Sequence, residues 1–205
     1  MPGLAQSCMA LKGTYRKVWN FVWNDDSIWS WLVNIGLAFI IIKFILYPAL
    51  GFALGTSYPI VAVVSGSMEH EGHFDDWWDK AKVSYLDFNI TSFEKFPLKN
   101  GFSKGDLIVL RKAEPESLKV GDVIVFRTFR PDPVIHRIVL VKQVNGDIGF
   151  QTKGDNYRKN FNSLPEEKNI SRDSILGRAW FKIPYLGWVK ILFVDIVNFL
   201  QERLS

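Results

Sequence analysis

The residues from Ile35 to Leu54 form an apolar run that reads IGLAFIIIKFILYPALGFAL. A helix of this length spans about 30 Å, which is the thickness of the hydrocarbon core of a bilayer. Lys43 lies within the run and costs about 2.5–3.5 kcal/mol on insertion scales, and Pro48 is expected to kink the helix or end its regular part. The apolar side chains outweigh both, so the sequence predicts a transmembrane helix over residues 34–55. A buried helix of a soluble domain is the alternative.

Flanking charges indicate the orientation of this helix. Lys12, Arg16 and Lys17 precede it, and no Lys or Arg occurs between Lys43 and Lys80. The positive-inside rule then makes residues 1–33 a cytoplasmic or interfacial segment. The rest of the chain is expected outside a cell membrane that the protein crosses once. A cleaved signal peptide is the less favoured interpretation, because the apolar run is long and begins late.

Composition favours lipid over nucleic acid as a partner. The eight tryptophans suit a membrane interface, because indole combines an apolar ring with one polar N–H. The net charge of +4 is spread along the chain, without a basic stripe of the kind that binds nucleic acid. Attraction to anionic headgroups explains the excess charge better. The single cysteine, Cys8, excludes an intramolecular disulfide or a cysteine-based metal site.

Residues 56–186 are expected to form an extracytoplasmic, mostly β domain. Short runs rich in Val and Ile alternate with turn residues, which is typical of an antiparallel sheet or barrel-like fold. The predicted strands cover residues 58–64, 107–111, 122–127, 134–142, 147–153 and 175–183. Between the first two lies a polar, aromatic-rich insertion at 69–103, which contains Trp77-Trp78 and in which Asp75-Asp76 could open a short helix.

Residues 187–205 have the pattern of an amphipathic helix. Their polar side chains fall within one arc of the helical wheel, and apolar side chains occupy most of the rest. A narrow polar stripe of this kind suits a helix that lies on a membrane surface. A helix that covers the β core is the alternative.

The candidate chemical residues are weak signals when each is taken alone. Ser67 ends a Ser-Gly-Ser turn after an apolar strand, and such turns are common in flexible loops. His136 lies within the run VIHRIVLV, where a histidine is usually a half-exposed strand residue. Asp155 belongs to a Gly-Asp-Asn turn. His70 and His73 lie among acidic residues, but a solvated loop is a better interpretation than a metal site because no second ligand cluster exists.

In combination, these motifs resemble a known family. The ordered set of apolar span, PIVAVVSGSM, KGDLIVL or VGDVIVF, VIHRIV and TKGDN is similar to the type I signal peptidases. The similarity is to the archaeal and endoplasmic-reticulum branch, in which a histidine stands where the bacterial branch has lysine. It covers roughly residues 35–68 and 104–188.

The resemblance implies a membrane-bound serine endopeptidase that removes signal peptides from exported pre-proteins after a small-x-small site. Ser67 would attack the scissile carbonyl, His136 would accept its proton, and Asp155 would orient His136. The Ser65 hydroxyl and the Ser67 backbone N–H would form the oxyanion hole. Gly121-Asp122 would be structural. The implied partners are signal peptides, membrane lipid and the protein translocation machinery, and no cofactor is implied.

Specificity for small side chains is expected from shallow apolar pockets near the nucleophile. Val63 and Met68, which lie close to Ser67 in sequence, are the candidate substrate-binding residues.

Two departures from the family pattern stand out. Family members often carry a second acidic residue after Gly-Asp-Asn, but residues 157–165 contain none, so Asp155 must act alone or Glu166 must reach in. The insertion at 69–103 lengthens a link that is normally short. Three interpretations are open: it lies on the membrane, it forms a lid, or it is a loop without a function. An inactive homologue and a membrane-tethered partner-binding subunit therefore stay open as alternatives. A self-cleaving DNA-binding regulator is disfavoured by the span.

Overall fold

The computed structural model describes residues 3–85, 87–144 and 146–204. It divides into two compact units, residues 1–50 and residues 51–205. The first unit begins with helix α1 (Gly3–Asn24). After a short break, α2 (Ile28–Ile41), a π-helical stretch (Ile42–Leu46) and α3 (Tyr47–Leu54) follow one another without interruption, and α3 continues into the second unit.

The apolar helix begins at Ile28, earlier than the predicted residue 34. Ser27 caps it, because its Oγ accepts a hydrogen bond from the Ser30 N–H at 3.3 Å. Two bonds tie α2 to α1: the Ser30 hydroxyl donates to the Phe21 carbonyl at 2.6 Å, and the Asn34 amide donates to the Val22 carbonyl at 2.8 Å. Because the helix begins at Ile28, Trp29 lies within its first turn.

Residues Ile28–Leu54 form one helix of 27 residues that is long and apolar enough to cross a membrane, judged by length and composition. Pro48 does not end the helix. Its ring would crowd the carbonyl one turn earlier, and the chain adjusts through the π-helical stretch, where the Tyr47 N–H bonds to the Ile42 carbonyl. The Lys43 ammonium lies over the rings of Phe39 and Phe44, at 5.5 Å from each centroid.

The second unit is built on one curled, antiparallel sheet of seven strands in the order β1-β2-β7-β3-β4-β5-β6. This confirms the predicted fold class, and all the predicted strands are present. The strands are β1 (Ile60–Ala62), β2 (Leu107–Arg111), β3 (Val123–Phe126), β4 (Val134–Val144), β5 (Asp147–Lys153), β6 (Ile170–Ser171) and β7 (Ile175–Ile183). Only β6 was not predicted, because two residues are too short to carry a hydrophobic pattern.

The sheet buries apolar side chains on both faces because successive strand residues point to opposite sides. One core cluster includes Val63, Met68, Ile108 and Val125. The other includes Ile124, Ile138 and Phe150. Strand β4 therefore has core on both faces, and its neighbouring residues His136 and Arg137 point in opposite directions.

The insertion at 69–103 is folded and packed, not an open loop. As expected, Asp75 and Asp76 stand in the first turn of a short helix, α4 (Phe74–Ala81), and a second short helix, α5 (Ile90–Phe93), follows. Trp77 is completely buried and Trp78 nearly so, in an aromatic cluster with Tyr85 and Phe93. The two tryptophans thus form a core, and they are not free to contact a membrane.

The chain ends in helix α6 (Trp188–Leu204), as predicted. Among its described side chains only Ile191 is buried. Its large apolar side chains are instead exposed: Val189, Leu192, Phe193, Val194, Ile196, Phe199 and Leu200. A helix that covers the β core would bury its apolar side chains, so this exposure argues against that alternative.

Candidate active site

The Ser65-Gly66-Ser67 turn directly follows the first edge strand of the sheet. Val63 anchors its start, because the Val63 N–H donates to the Asp106 carbonyl at 2.8 Å and the Val63 carbonyl accepts from the Gly105 N–H at 2.9 Å. The Ser65 and Ser67 hydroxyl oxygens are 3.2 Å apart, with Ser65 exposed and Ser67 half-buried. The turn therefore presents two neighbouring hydroxyl groups at the surface.

The backbone carbonyls of Gly66, Ser67 and Met68 all accept hydrogen bonds. The Asn156 side-chain amide donates to the Gly66 carbonyl at 2.9 Å, and the Asn156 backbone N–H donates to the Ser67 carbonyl at 2.9 Å. The Phe102 N–H, at the end of the insertion, donates to the Met68 carbonyl at 3.0 Å. The position of Ser67 is thus set by the Gly-Asp-Asn turn and by the insertion.

His136 lies in β4, opposite Ile124 of β3, and is only 4% exposed. Its Nδ1 is hydrogen-bonded to Oε1 of Glu167, whose side chain is completely buried. The other bonds of Glu167 fix its carboxylate: the Thr152 hydroxyl donates to Oε1 at 3.3 Å, and the Leu164 N–H donates to Oε2 at 2.7 Å. Since Nδ1 faces an acceptor, it carries the proton, and Nε2 is left as the basic nitrogen.

Ser65, Ser67, His136 and Glu167 line one cleft of about 430 Å³. Its walls are largely apolar, with Val61, Ala62, Val63 and Val64 on one side and Pro133, Val134 and Ile135 on the other. Of the predicted site residues, the structure therefore brings together Ser67, His136, Ser65 and Val63. Met68 does not line the cleft, because its side chain is completely buried in the core.

Asp155 does not contact His136 in the part of the chain that the structure describes. Its carboxylate points to the other face of the sheet, where it forms an ion pair with Arg137 at 2.6 Å. It also accepts hydrogen bonds from the Tyr85 hydroxyl at 2.7 Å and from His70 Nε2 at 3.1 Å. The carboxylate that contacts His136 is that of Glu167, so the contact expected from Asp155 or Glu166 is made by the residue after Glu166.

The buried groups near Asp155 have shifted pKa values. Burial alone would raise the pKa of Asp155, but the Arg137 charge and the hydrogen bonds from His70 and Arg137 hold it well below its ordinary value. Burial lowers the pKa of His70 despite its bond to Asp155. Burial also lowers the pKa of Lys153 to about 8, against the attraction of Asp155 and Glu167. Asp155 is therefore ionised and already paired, which suits a structural anchor.

The two histidines considered for a metal have other environments. His70 stacks on Trp77 with ring centroids 3.6 Å apart and bonds to Asp155, whereas His73 is exposed and precedes α4. Within the described residues, no group of three or more His, Cys, Asp or Glu side chains is arranged to hold a metal ion.

Sequence reasoning missed Glu167, Thr152 and Asn156 as members of the site. The one available signal for Glu167 was the pair Glu166-Glu167 after Pro165, a sequence that favours a single helical turn, and 165–167 is indeed a short 3₁₀ helix. Glu166 also lines the cleft, but its carboxylate pairs with Arg130 at 2.6 Å. The sequence does not show which of the two adjacent glutamates contacts His136, because this depends on the geometry of the turn.

No family model matches the chain. Several curated proteins do match, all named as catalytic subunits of the signal peptidase complex. The SEC11C subunit of Mus musculus is 26% identical over 206 aligned residues, which cover 98% of this chain and 88% of that protein. The SEC11C subunit of Homo sapiens is 30% identical over 155 residues, which cover 74% of this chain and 65% of that protein.

The sec11 subunit of Dictyostelium discoideum is 29% identical over 168 residues, which cover 80% of this chain and 76% of the relative. The chain is a homologue of these signal peptidase catalytic subunits. The resemblance to the endoplasmic-reticulum branch of the type I signal peptidases is thereby confirmed.

Proposed function

We propose that the chain is a membrane-bound serine endopeptidase that removes signal peptides from secretory pre-proteins. The observation that carries this proposal is the cleft in which Ser67 lies with His136, whose Nδ1 is bonded to the buried Glu167. A hydroxyl, an imidazole and a carboxylate in this order form the set that activates a serine. The relatives named as signal peptidase catalytic subunits give the reaction class.

In this mechanism Ser67 Oγ attacks the scissile carbonyl while its proton passes to His136 Nε2. Glu167 holds the imidazole in the required tautomer and stabilises the imidazolium that forms. The Ser65 hydroxyl, 3.2 Å from Ser67 Oγ, and the Ser67 N–H stabilise the tetrahedral oxyanion. His136 then gives its proton to the leaving amine, and water hydrolyses the acyl-enzyme by the same route. Glu167 would thus take the place of the second acidic residue that residues 157–165 lack.

The specificity proposed is for a small-x-small site. Val61, Val63 and Ile135 line the cleft beside Ser67 with apolar side chains. Such walls accept an alanine-sized side chain and reject larger ones by steric clash. Met68, which is buried, takes no part in this proposal.

The membrane placement is argued from the helix Ile28–Leu54, which we propose crosses the bilayer once with the residues before Ile28 on the cytoplasmic side. Similarity to subunits of eukaryotic complexes favours the membrane of the endoplasmic reticulum over the cell membrane that the sequence suggested. The printed names of the relatives also favour action within a complex, with membrane lipid and the translocation machinery as neighbours.

Cleavage of a pre-protein by the full chain reconstituted in lipid vesicles tests this function. Ser67→Ala and His136→Ala are each expected to lower the rate at least about a thousandfold, because nucleophile and base act as a unit. The matched control is His73→Ala, since His73 is exposed and outside the cleft, and it should cleave at the wild-type rate.

The outcomes separate the alternatives. A serine-directed acylating inhibitor should label the wild type and not Ser67→Ala. A chain that neither cleaves nor becomes labelled would be an inactive homologue or a partner-binding subunit. Cleavage retained in Ser67→Ala would exclude the mechanism.

A further inference from the structure

The insertion at 69–103 makes an unusual set of contacts with the residue that follows Gly154. Asp155 is completely buried, and three side chains of the insertion donate to it: Tyr85 OH to Oδ1 at 2.7 Å, His70 Nε2 to Oδ2 at 3.1 Å, and Trp77 Nε1 to the backbone carbonyl at 3.1 Å. A purely decorative loop would not direct its polar atoms at a single buried residue.

Arg137 forms the second part of this connection. Its guanidinium binds Asp155 and also donates to the carbonyls of Pro97 at 2.7 Å and Leu98 at 3.1 Å, at the end of the insertion. Leu98 has a φ of 52°, a left-handed conformation that is unfavourable for a leucine, and its carbonyl also accepts from the Gly101 N–H at 2.9 Å. The insertion is thus fixed at both of its halves to the Asp155–Arg137 ion pair.

From Asp155 the connection continues to the nucleophile. The Asp155 N–H contacts the Met68 sulfur at 3.4 Å, and Asn156 donates to the carbonyls of Gly66 and Ser67. The approach is close: a Cβ atom added to Gly154 would lie 2.7 Å from the Ser67 carbonyl oxygen. A displacement of residues 154–156 therefore moves the turn that carries Ser67.

We propose that the insertion is a positioning device for the active site, in which Tyr85 and His70 hold Asp155 and thereby fix the Ser67 turn. This inference rests on the proposed function. His136 and Arg137 are neighbours on opposite faces of β4, so the insertion contacts this strand on the face opposite to His136. Tyr85 and His70 act through Asp155 and are positioning residues, not catalytic ones.

The test uses the full chain in lipid vesicles with variants that remove single donors. Tyr85→Phe keeps the ring in the aromatic cluster and removes only the hydroxyl. It is expected to lower kcat about five- to tenfold with little change in KM, because small misplacements of a nucleophile are costly in rate. The matched control is Tyr157→Phe, since Tyr157 packs against the same cluster but its hydroxyl accepts a hydrogen bond from the exposed Arg158. It should keep the wild-type kcat.

His70 supplies a rescue experiment. His70→Phe keeps an aromatic ring over Trp77 but loses the donor to Asp155, and it should lower kcat like Tyr85→Phe. His70→Gln restores an N–H near the position of Nε2 and should recover most of the loss. Equal kcat values in the two His70 variants, or a loss in Tyr85→Phe matched by Tyr157→Phe, would overturn the proposal.

A second readout does not depend on peptidase activity. The Asn156 and Phe102 amides donate to the Ser67 and Met68 carbonyls, so a loosened turn should exchange these amide hydrogens faster in Tyr85→Phe than in Tyr157→Phe. Unchanged exchange in Tyr85→Phe would refute the positioning role even if the chain cleaves pre-proteins. Faster exchange in a chain that does not cleave would refute the proposed function and keep the structural link.

Discussion

At the scale of single residues, Glu167 decides how the imidazole of His136 is held. Its carboxylate accepts from His136, Thr152 and Leu164 and is completely buried, so the ring has one preferred orientation and one tautomer. An amide at this position could present a donor to Nδ1 and favour the wrong tautomer.

Glu167→Gln is therefore expected to lower kcat for pre-protein cleavage by at least about a hundredfold, as loss of the orienting carboxylate does in serine proteases. Steady-state kinetics would measure this. Glu166→Gln, which weakens the pair with Arg130 and leaves the bond between His136 and Glu167 in place, is the comparison and should have a much smaller effect. Similar losses in both variants would contradict the role of Glu167.

His70 makes stability depend on pH. Its pKa is lowered by burial, and its Nδ1 is buried without a hydrogen-bond partner among the residues that the structure describes, so protonation in the folded state is unfavourable. In the unfolded chain His70 binds a proton below its ordinary pKa of 6.5, whereas in the folded chain it does so only at lower pH. The stability from neutral His70 is hence complete above this value and is lost as the pH falls below it.

Thermal unfolding at pH 7.5 and pH 5.5 would measure this loss. The wild type should melt at a lower temperature at pH 5.5, and His70→Gln should show a smaller difference between the two pH values. An identical difference in both proteins would mean that other groups cause the acid sensitivity.

The sequence identified Ser67, His136 and Ser65 as neighbours because they stand in short motifs of fixed order. It could not assign the acidic partner of His136. Asp155 is in the expected motif, but its side chain points to the face of the sheet that carries Arg137, and only the strand register determines this. Sequence spacing gives the order of residues, and the pleat of β4 and β5 gives their direction.

At the scale of elements, strands with a clear alternation or apolar run were predictable, and elements shaped by packing were not. The strands β2, β5 and β7 have their predicted limits. The insertion was ambiguous, since Trp77 and Trp78 suit a membrane surface as well as a core. Their burial depends on Tyr85 and Phe93, which lie later in the same segment.

Helix α6 offers a prediction at this scale, because its apolar residues are exposed. We expect the helix to lie on the bilayer surface with Phe193 toward lipid and Asp195 toward water, as the two positions are 200° apart at 100° per residue. Spin labels on Phe193→Cys and Asp195→Cys, each with Cys8→Ser, would measure this in vesicles. The label at 193 should be more accessible to oxygen and that at 195 to a water-soluble nickel complex. Equal exposure of both labels to the nickel complex would contradict membrane contact.

At the scale of the whole molecule, the orientation of the chain decides whether Ser67 can reach exported substrates. The asparagines of Asn89-Ile90-Thr91 and Asn169-Ile170-Ser171 are both exposed and fit the pattern of N-glycosylation sites. If residues 56–186 enter the lumen, expression in mammalian cells should give a product whose gel mobility increases after glycosidase treatment. The double variant Asn89→Gln, Asn169→Gln should not respond.

Protease treatment of intact microsomes provides the complementary measurement. A tag before Met1 should be digested, whereas the catalytic unit should be protected until detergent is added. The opposite pattern of protection would reverse the orientation and exclude cleavage of lumenal signal peptides.

The hydrogen bond from the Phe102 N–H to the Met68 carbonyl has a consequence for how this chain could be rebuilt. In a β-turn, a hydrogen bond of the same kind joins the carbonyl of one residue to the N–H three residues later, with two residues between them. The segment 69–101 thus leaves and rejoins the rest of the domain at one pair of hydrogen-bonded residues. A two-residue Asn-Gly bridge in its place should keep the strand order of the scaffold and give a shorter version in which other segments can be inserted.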